Sequence, residues 1–161
     1  MSVYLRGECQ LIGASNLALD GNTPGGGLAV TNAAGSPTIY RHLLWSFTPL
    51  FGKEDALFKG LAIRNSLNGK YIRGNPGMPD GGGVSLVEEK DVDEWAGWGI
   101  GTNPGGTSSA AYVPFILNPA PGICVMTLYG ASDWKPGTQV ITYRWSSGLS
   151  QLWLPGFNPT V

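Results

Sequence analysis

The sequence predicts an all-β domain of twelve short strands, arranged as three pseudo-symmetric four-strand repeats. Three observations predict it. An ordered set of landmarks recurs three times, short apolar runs alternate with glycine, proline and asparagine, and no stretch of ten or more residues carries a helical apolar stripe. The 161 residues fit one domain over 1–161, divided into repeats of about 3–50, 57–102 and 111–155.

The landmarks come in the same order in each copy. An aromatic opens it, Tyr4, Phe58 or Tyr112, at steps of 54 residues. A strand then ends on a turn glycine, in Leu19-Asp20-Gly21, Ile72-Arg73-Gly74 and Leu128-Tyr129-Gly130. A glycine three residues before an apolar residue follows at steps of 56, in Gly25 with Leu28, Gly81 with Val84 and Gly137 with Val140. A tryptophan closes the copy: Trp45, Trp98, Trp153.

The expected strands follow the apolar runs. Val3-Tyr4-Leu5, Leu17-Ala18-Leu19, Leu28-Ala29-Val30 and Leu43-Leu44-Trp45 make the first unit. Leu61-Ala62-Ile63, Tyr71-Ile72, Val84-Ser85-Leu86 and Trp98-Gly99-Ile100 make the second. Phe115-Ile116-Leu117, Val125-Met126-Thr127-Leu128, Val140-Ile141-Thr142-Tyr143 and Leu152-Trp153-Leu154 make the third. The tracts Gly25-Gly26-Gly27 and Gly81-Gly82-Gly83 fall at equivalent places and read as hairpin turns, since glycine supplies the backbone freedom such turns need. A unit of about fifty residues cannot bury a core alone. Three units around one axis can share one, and closing the strands into a barrel removes exposed edges. This layout resembles the β-trefoil, six strands in a short barrel with three hairpins capping one end.

Composition narrows the function. Charged residues are 13% and the net charge is −1, with the ten basic residues scattered, which argues against nucleic acid as a partner. No apolar run approaches membrane-span length, so no membrane insertion is expected. Arg6 and Glu8 interrupt the apolar core that a secretory signal requires, which predicts a cytoplasmic protein or one exported by a non-classical route. Cys9 and Cys124 are expected to be buried reduced thiols, with one bridge between them left open.

Catalytic and cofactor patterns are missing. One histidine, His42, makes neither a zinc site nor a catalytic triad without further partners, and no nucleophile-elbow motif is present. The glycine tracts lack the Lys-Ser/Thr of a phosphate loop. The acidic cluster Glu88, Glu89, Asp91, Asp93, Glu94 is interrupted by Lys90 and reads as a solvated hairpin tip. Asp20, Asp80 and Asp133 stand at non-equivalent offsets and announce no glycosidase pair. The chain therefore reads as a binding protein without enzyme activity, cofactor or metal.

Ser150-Gln151-Leu152-Trp153 carries a Q-x-W closing motif, and Ile63-Arg64-Asn65-Ser66-Leu67-Asn68-Gly69-Lys70-Tyr71-Ile72 looks like the opening of the same repeat. In both, the chain resembles ricin-B-like lectins. The resemblance implies a structural Gln151 and a core Trp153. It also implies a galactose-type site per unit, made of an aspartate after the second strand, an aromatic after the third and an amide before the closing tryptophan. Carried onto this chain, unit one supplies Asp20 with Asn22 and His42, but Thr31 in place of the aromatic. Unit two has Arg73 for the aspartate and Val87 for the aromatic. Unit three has Tyr143 as the stacking ring and Tyr129 for the aspartate, with Asp133 and Trp134 in the adjoining polar loop. Glutamine is missing from two closing motifs, Leu43-Leu44-Trp45 and Ala96-Gly97-Trp98.

Two functions follow from the resemblances. The first is a carbohydrate-binding lectin with galactose-type glycans as partners, similar to small fungal lectins whose role is defence. The alternative is a protease inhibitor, as in β-trefoil inhibitors of plants and mushrooms, presenting either residues 64–70 with Asn68 at the tip or the loop carrying Lys135. Asn68 would suit an asparagine-specific cysteine protease and Lys135 a trypsin-like one. Because the sites are non-equivalent, a homodimer is the expected route to avidity, with the apolar tail Leu154-Pro155-Gly156-Phe157 as a candidate contact.

Overall fold

The computed structural model describes residues 8–13, 17–22, 27–32, 41–49, 60–101 and 112–157. Twelve strands form one antiparallel sheet system. In chain order they are β1 (Glu8–Gly13), β2 (Leu17–Asp20), β3 (Ala29–Asn32), β4 (Trp45–Pro49), β5 (Leu61–Asn65), β6 (Tyr71–Arg73), β7 (Ser85–Val87), β8 (Trp98–Ile100), β9 (Phe115–Leu117), β10 (Cys124–Leu128), β11 (Val140–Arg144) and β12 (Trp153–Phe157). The other regular pieces among the described residues are short 3-10 turns, at Arg41–Leu43, Glu89–Asp91, Glu94–Ala96 and Leu149–Gln151.

Strand pairing closes a six-strand barrel. β1 pairs with β4, β4 with β5, β5 with β8 and β8 with β9. A bridge from Val113 to Trp153 carries the ring to β12, which pairs back onto β1 from Cys9–Phe157 to Gly13–Trp153. The remaining strands make the hairpins β2–β3, β6–β7 and β10–β11. This is the β-trefoil that the repeats predict.

Val3-Tyr4-Leu5 lies outside the described residues, among which the first strand is Glu8–Gly13. Its inward residues Cys9 and Leu11 are buried and alternate with polar Gln10, a period-2 pattern too short to stand out from sequence. The tail Leu154-Pro155-Gly156-Phe157 is part of β12 and is paired to β1. Within it Pro155 is buried and Leu154 half-buried.

The threefold relation appears in side chains as well as strands. Trp45, Trp98 and Trp153 are each 0% exposed. Each indole Nε1 donates to a second-strand carbonyl, Leu19 O at 3.1 Å, Ile72 O at 3.0 Å and Met126 O at 3.0 Å. A buried indole N–H needs such a partner, and these bonds tie each closing strand to the hairpin of its own unit. Leu11, Ile63 and Phe115, all 0% exposed, fill the barrel from the three first strands. At the capped end Leu28, Val84 and Val140 are buried together in the core. Around them the hairpins join in a cycle of bridges, Gly27 to Ser85, Gly83 to Ile141 and Ala29 to Gln139. Both cysteines are buried free thiols, and burial pushes the Cys9 thiol up to about 12.

Trp98→Phe keeps an aromatic side chain but removes the indole N–H that the buried Ile72 carbonyl accepts and leaves a gap where the larger ring packed. It should lower stability by about 1–3 kcal/mol in urea denaturation. Trp134→Phe removes an exposed indole bond to Gly130 O and should stay within about 0.5 kcal/mol of the parent.

Candidate functional site

A concavity in the third unit grows from strand alternation. All five residues of β10 are buried. Met126 and Leu128 face the core, so Thr127 and Tyr129 face outward, as do Ile141 and Tyr143 on β11, where Thr127 pairs with Ile141. The segment 146–151 runs along this outward face and makes the second wall. Between the two lies a groove of about 340 Å³, lined by Thr127, Tyr129, Ile141, Tyr143, Ser146 and Ser150 over Gln151, with Gly130 and Ala131 at one end. Tyr129 is 64% exposed and Tyr143 43%. No ionised side chain lines the groove.

Gln151 builds the groove without being available to a ligand. It is 1% exposed. Its Oε1 accepts from Ser146 N at 2.8 Å and Ser146 Oγ at 3.2 Å. Its Nε2 donates to Arg144 O at 2.8 Å and Thr127 Oγ1 at 3.3 Å. Both donors and both acceptor positions are used, so the side chain pins the 146–151 wall to the hairpin. The Tyr143 ring has the Arg144 guanidinium 6.0 Å from its centroid, and that guanidinium pairs with Asp80 at 3.2 Å.

Unit one assembles a different group. Asp20 is half-buried at the end of β2, and its Oδ1 accepts from Asn22 N at 2.9 Å in an Asx turn. The His42 carbonyl accepts from Gly21 N at 2.8 Å and from Asn65 Nδ2 at 2.9 Å. Gly21 is required here by close approach, because a Cβ would collide with the Asn65 amide. Asn68 reaches in from unit two, its Nδ2 donating to Gly21 O at 2.8 Å. The His42 carbonyl and the Asn68 amide thus meet on Gly21, the residue after Asp20. Residues 23–26 and 33–40, which flank this place in the chain, lie outside the described residues.

Unit two fills the equivalent place with an ion pair. Arg73 donates to both carboxylate oxygens of Asp93, at 3.0 and 2.7 Å. Asp93 also accepts from Trp95 N at 3.0 Å, capping the Glu94–Ala96 turn. The Arg73 hydrogen bonds hold the Asp93 carboxyl below its ordinary range, against a smaller opposing effect of burial.

The remaining candidates stand apart from the groove lining. Trp134 is half-buried against the core, and its Nε1 donates to Gly130 O at 3.0 Å. Asp133 is exposed in a left-handed conformation, φ 62°. Lys135 is exposed and starts a tight turn in which Thr138 N donates to Lys135 O at 2.9 Å. Asn68 sits in a hydrogen-bonded turn, its Oδ1 accepting from Lys70 N at 2.9 Å.

The pairing also corrects one alignment. Asp20 pairs with Ala29, Arg73 with Ser85 and Thr127 with Ile141, and these partners recur every 56 residues. The residue of unit three equivalent to Asp20 is therefore Thr127, and Tyr129 lies two residues beyond it. Aligning on turn glycines misplaced it because the hairpins differ in length, with β10 extended past the position where β2 stops. The wall residues Ser146 and Ser150 carry no motif of their own. The signal that could have found them is the distance back from the closing tryptophan, which Gln151 fixes.

Solved structures share this architecture. The designed threefold-symmetric protein ThreeFoil matches with a TM-score of 0.70 at 19% identity, covering 93% of this chain and 98% of its own. The Macrolepiota procera ricin B-like lectin, solved in complex with lactose, matches at 0.68 and 16%, covering 92% of this chain and 93% of its own. A Clostridium perfringens endo-β-galactosidase that releases GlcNAcα1-4Gal matches at 0.65 and 10%, covering 92% of this chain but 32% of that one. No protein-family model matches the chain, and no curated protein matches it in sequence. At these identities the likeness establishes the fold, and the fold alone does not choose a function.

The unit-two ion pair makes a pH-dependent contribution. Asp93→Asn should cost about 0.5–1 kcal/mol at neutral pH, since both partners are partly solvated. The folded-state pKa is depressed, so the contribution is present above the unfolded value of 3.8 and disappears as pH falls through the lower folded value. Urea titrations at pH 7 and at about pH 2 should show the variant and parent converging in acid. A gap that persists in acid would assign the loss to packing.

Proposed function

We propose that the chain is a non-enzymatic carbohydrate-binding protein whose working site is the third-unit groove. One observation carries this reading. Two exposed tyrosines, Tyr129 and Tyr143, flank a neutral groove of about 340 Å³. A pyranose has an apolar C–H face and a rim of hydroxyls. The tyrosine rings suit the face, while the tyrosine hydroxyls, Ser146, Ser150 and nearby backbone groups suit the rim. The volume lies at the small end of the roughly 300–1,000 Å³ range of ligand sites, room for one or two sugar rings. The M. procera lectin, of the same fold and solved with lactose, supports testing galactose-type glycans first.

Binding of a single sugar is expected to be weak, because few atoms are engaged. Display on a multivalent surface or dimerisation would raise it.

A glycan array probed with the parent protein should give signals on neutral glycans. Tyr143→Ala should weaken them by tenfold or more, the loss of about 1.4 kcal/mol, with an unchanged thermal melt because the ring is outside the barrel core. Absence of any glycan signal for the parent at micromolar concentration would sink the proposal.

A further inference from the structure

We infer that the groove is one end of an extended platform that takes a linear, uncharged oligosaccharide rather than a lone terminal sugar. This rests on the sugar-binding reading of the groove. The hairpin ladder continues past both ends of its strands, since Tyr129 N donates to Gln139 O at 2.9 Å and Trp145 N donates to Ile123 O at 2.8 Å. Between these bonds the register is unbroken, from Cys124–Arg144 to Leu128–Val140. Residues two apart share a face. One face therefore carries Ile123, Val125, Thr127 and Tyr129 on one strand, against Trp145, Tyr143 and Ile141 on the other; Val125, Thr127 and Ile141 are its buried floor, and Ile123, Tyr129, Tyr143 and Trp145 are what it presents to a ligand.

The groove occupies the Tyr129 end of that row. At the other end Ile123 is 57% exposed and Trp145 half-buried, and Leu149 on the wall is 60% exposed. Among the described residues six large hydrophobics are exposed, and four of them (Ile123, Tyr129, Tyr143, Leu149) belong to this hairpin and its wall. Such concentration on one face marks a contact surface.

The chemistry of the row selects the occupant. Tyr143 and Trp145 stand two residues apart along one strand and so share a face, where each aromatic ring can meet the apolar C–H face of a sugar along a glycan chain. The face-sharing residues include no Lys, Arg, Asp or Glu, and the neighbouring Arg144 charge is matched by Asp80 at 3.2 Å. A neutral chain is therefore favoured over sialylated or uronic-acid glycans. The strip is also narrow, the width of one hairpin, which suits a linear ligand.

The test is isothermal titration of the full chain with two neutral series, galactose, lactose and lacto-N-tetraose, and N-acetylglucosamine oligomers of one to four rings. Affinity in one series should rise about tenfold from one ring to four, the effect of one added aromatic contact. Trp145→Ala should remove that rise and leave monosaccharide affinity unchanged, while Trp145→Phe should restore part of it. A thermal melt controls for folding. Monosaccharide binding with no gain in length, or a gain that survives Trp145→Ala, overturns the platform and leaves the groove as a sugar site. No binding by any member of either series overturns both. Self-association in sedimentation that Trp145→Ala abolishes, without a length-dependent gain, assigns the strip to a second copy of the chain and also overturns the platform.

Discussion

Everything in this molecule hangs on three dry indole hydrogen bonds. Trp45, Trp98 and Trp153 each carry one polar atom into a core from which water is excluded, and each finds a carbonyl 26 or 27 residues earlier in the chain. An unpaired N–H there would forfeit much of what the ring gains by burial. The bond therefore does two things at once. It makes a large aromatic compatible with the interior, and it sets the closing strand of each unit relative to its own hairpin. Once that is fixed in all three units, the barrel register follows, and the outward residues of each hairpin are placed whatever their identity.

This explains what could be read in the sequence and what could not. The tryptophans and the glycine-x-x-apolar positions are interior, so symmetry constrains them and their spacing recurs. Leu28, Val84 and Val140 meet in the core as their 56-residue steps suggest. The strand Glu8–Gly13 escaped notice because only Cys9 and Leu11 advertise it. Thr127 was misaligned with Tyr129 because hairpin tips lie outside the shared core and are free to change length. The groove's second wall was illegible for a related reason. Ser146 and Ser150 are small polar residues whose importance comes from Gln151, whose amide spans from Arg144 O to Thr127 Oγ1.

The same freedom has taken the three units to different chemistry. Unit one brings the His42 carbonyl and the Asn65 and Asn68 amides around a glycine that admits no side chain. Unit two closes its equivalent place with Arg73 and Asp93. Unit three alone among the described hairpins has a glutamine before its closing tryptophan, and there the pinned 146–151 wall makes one side of the groove. A side chain with all its hydrogen-bonding positions used internally thus shapes the outward face of its unit. Leu43 and Ala96, at the matching positions, are buried apolar side chains with no amide to do the same.

The cycle of bridges at the capped end has a further implication. Gly27 meets Ser85, Gly83 meets Ile141, and Gln139 returns to Ala29. Every unit offers one strand to the next and receives one from the last, so the ring has no free terminus at which another copy could be stacked. Solenoids lengthen by adding modules because each touches only its neighbours. Here duplication or loss of a single module would leave bridging residues with nothing to meet. On this geometry the closed ring accommodates three modules, and the segments outside the bridges are the ones that can change without breaking it.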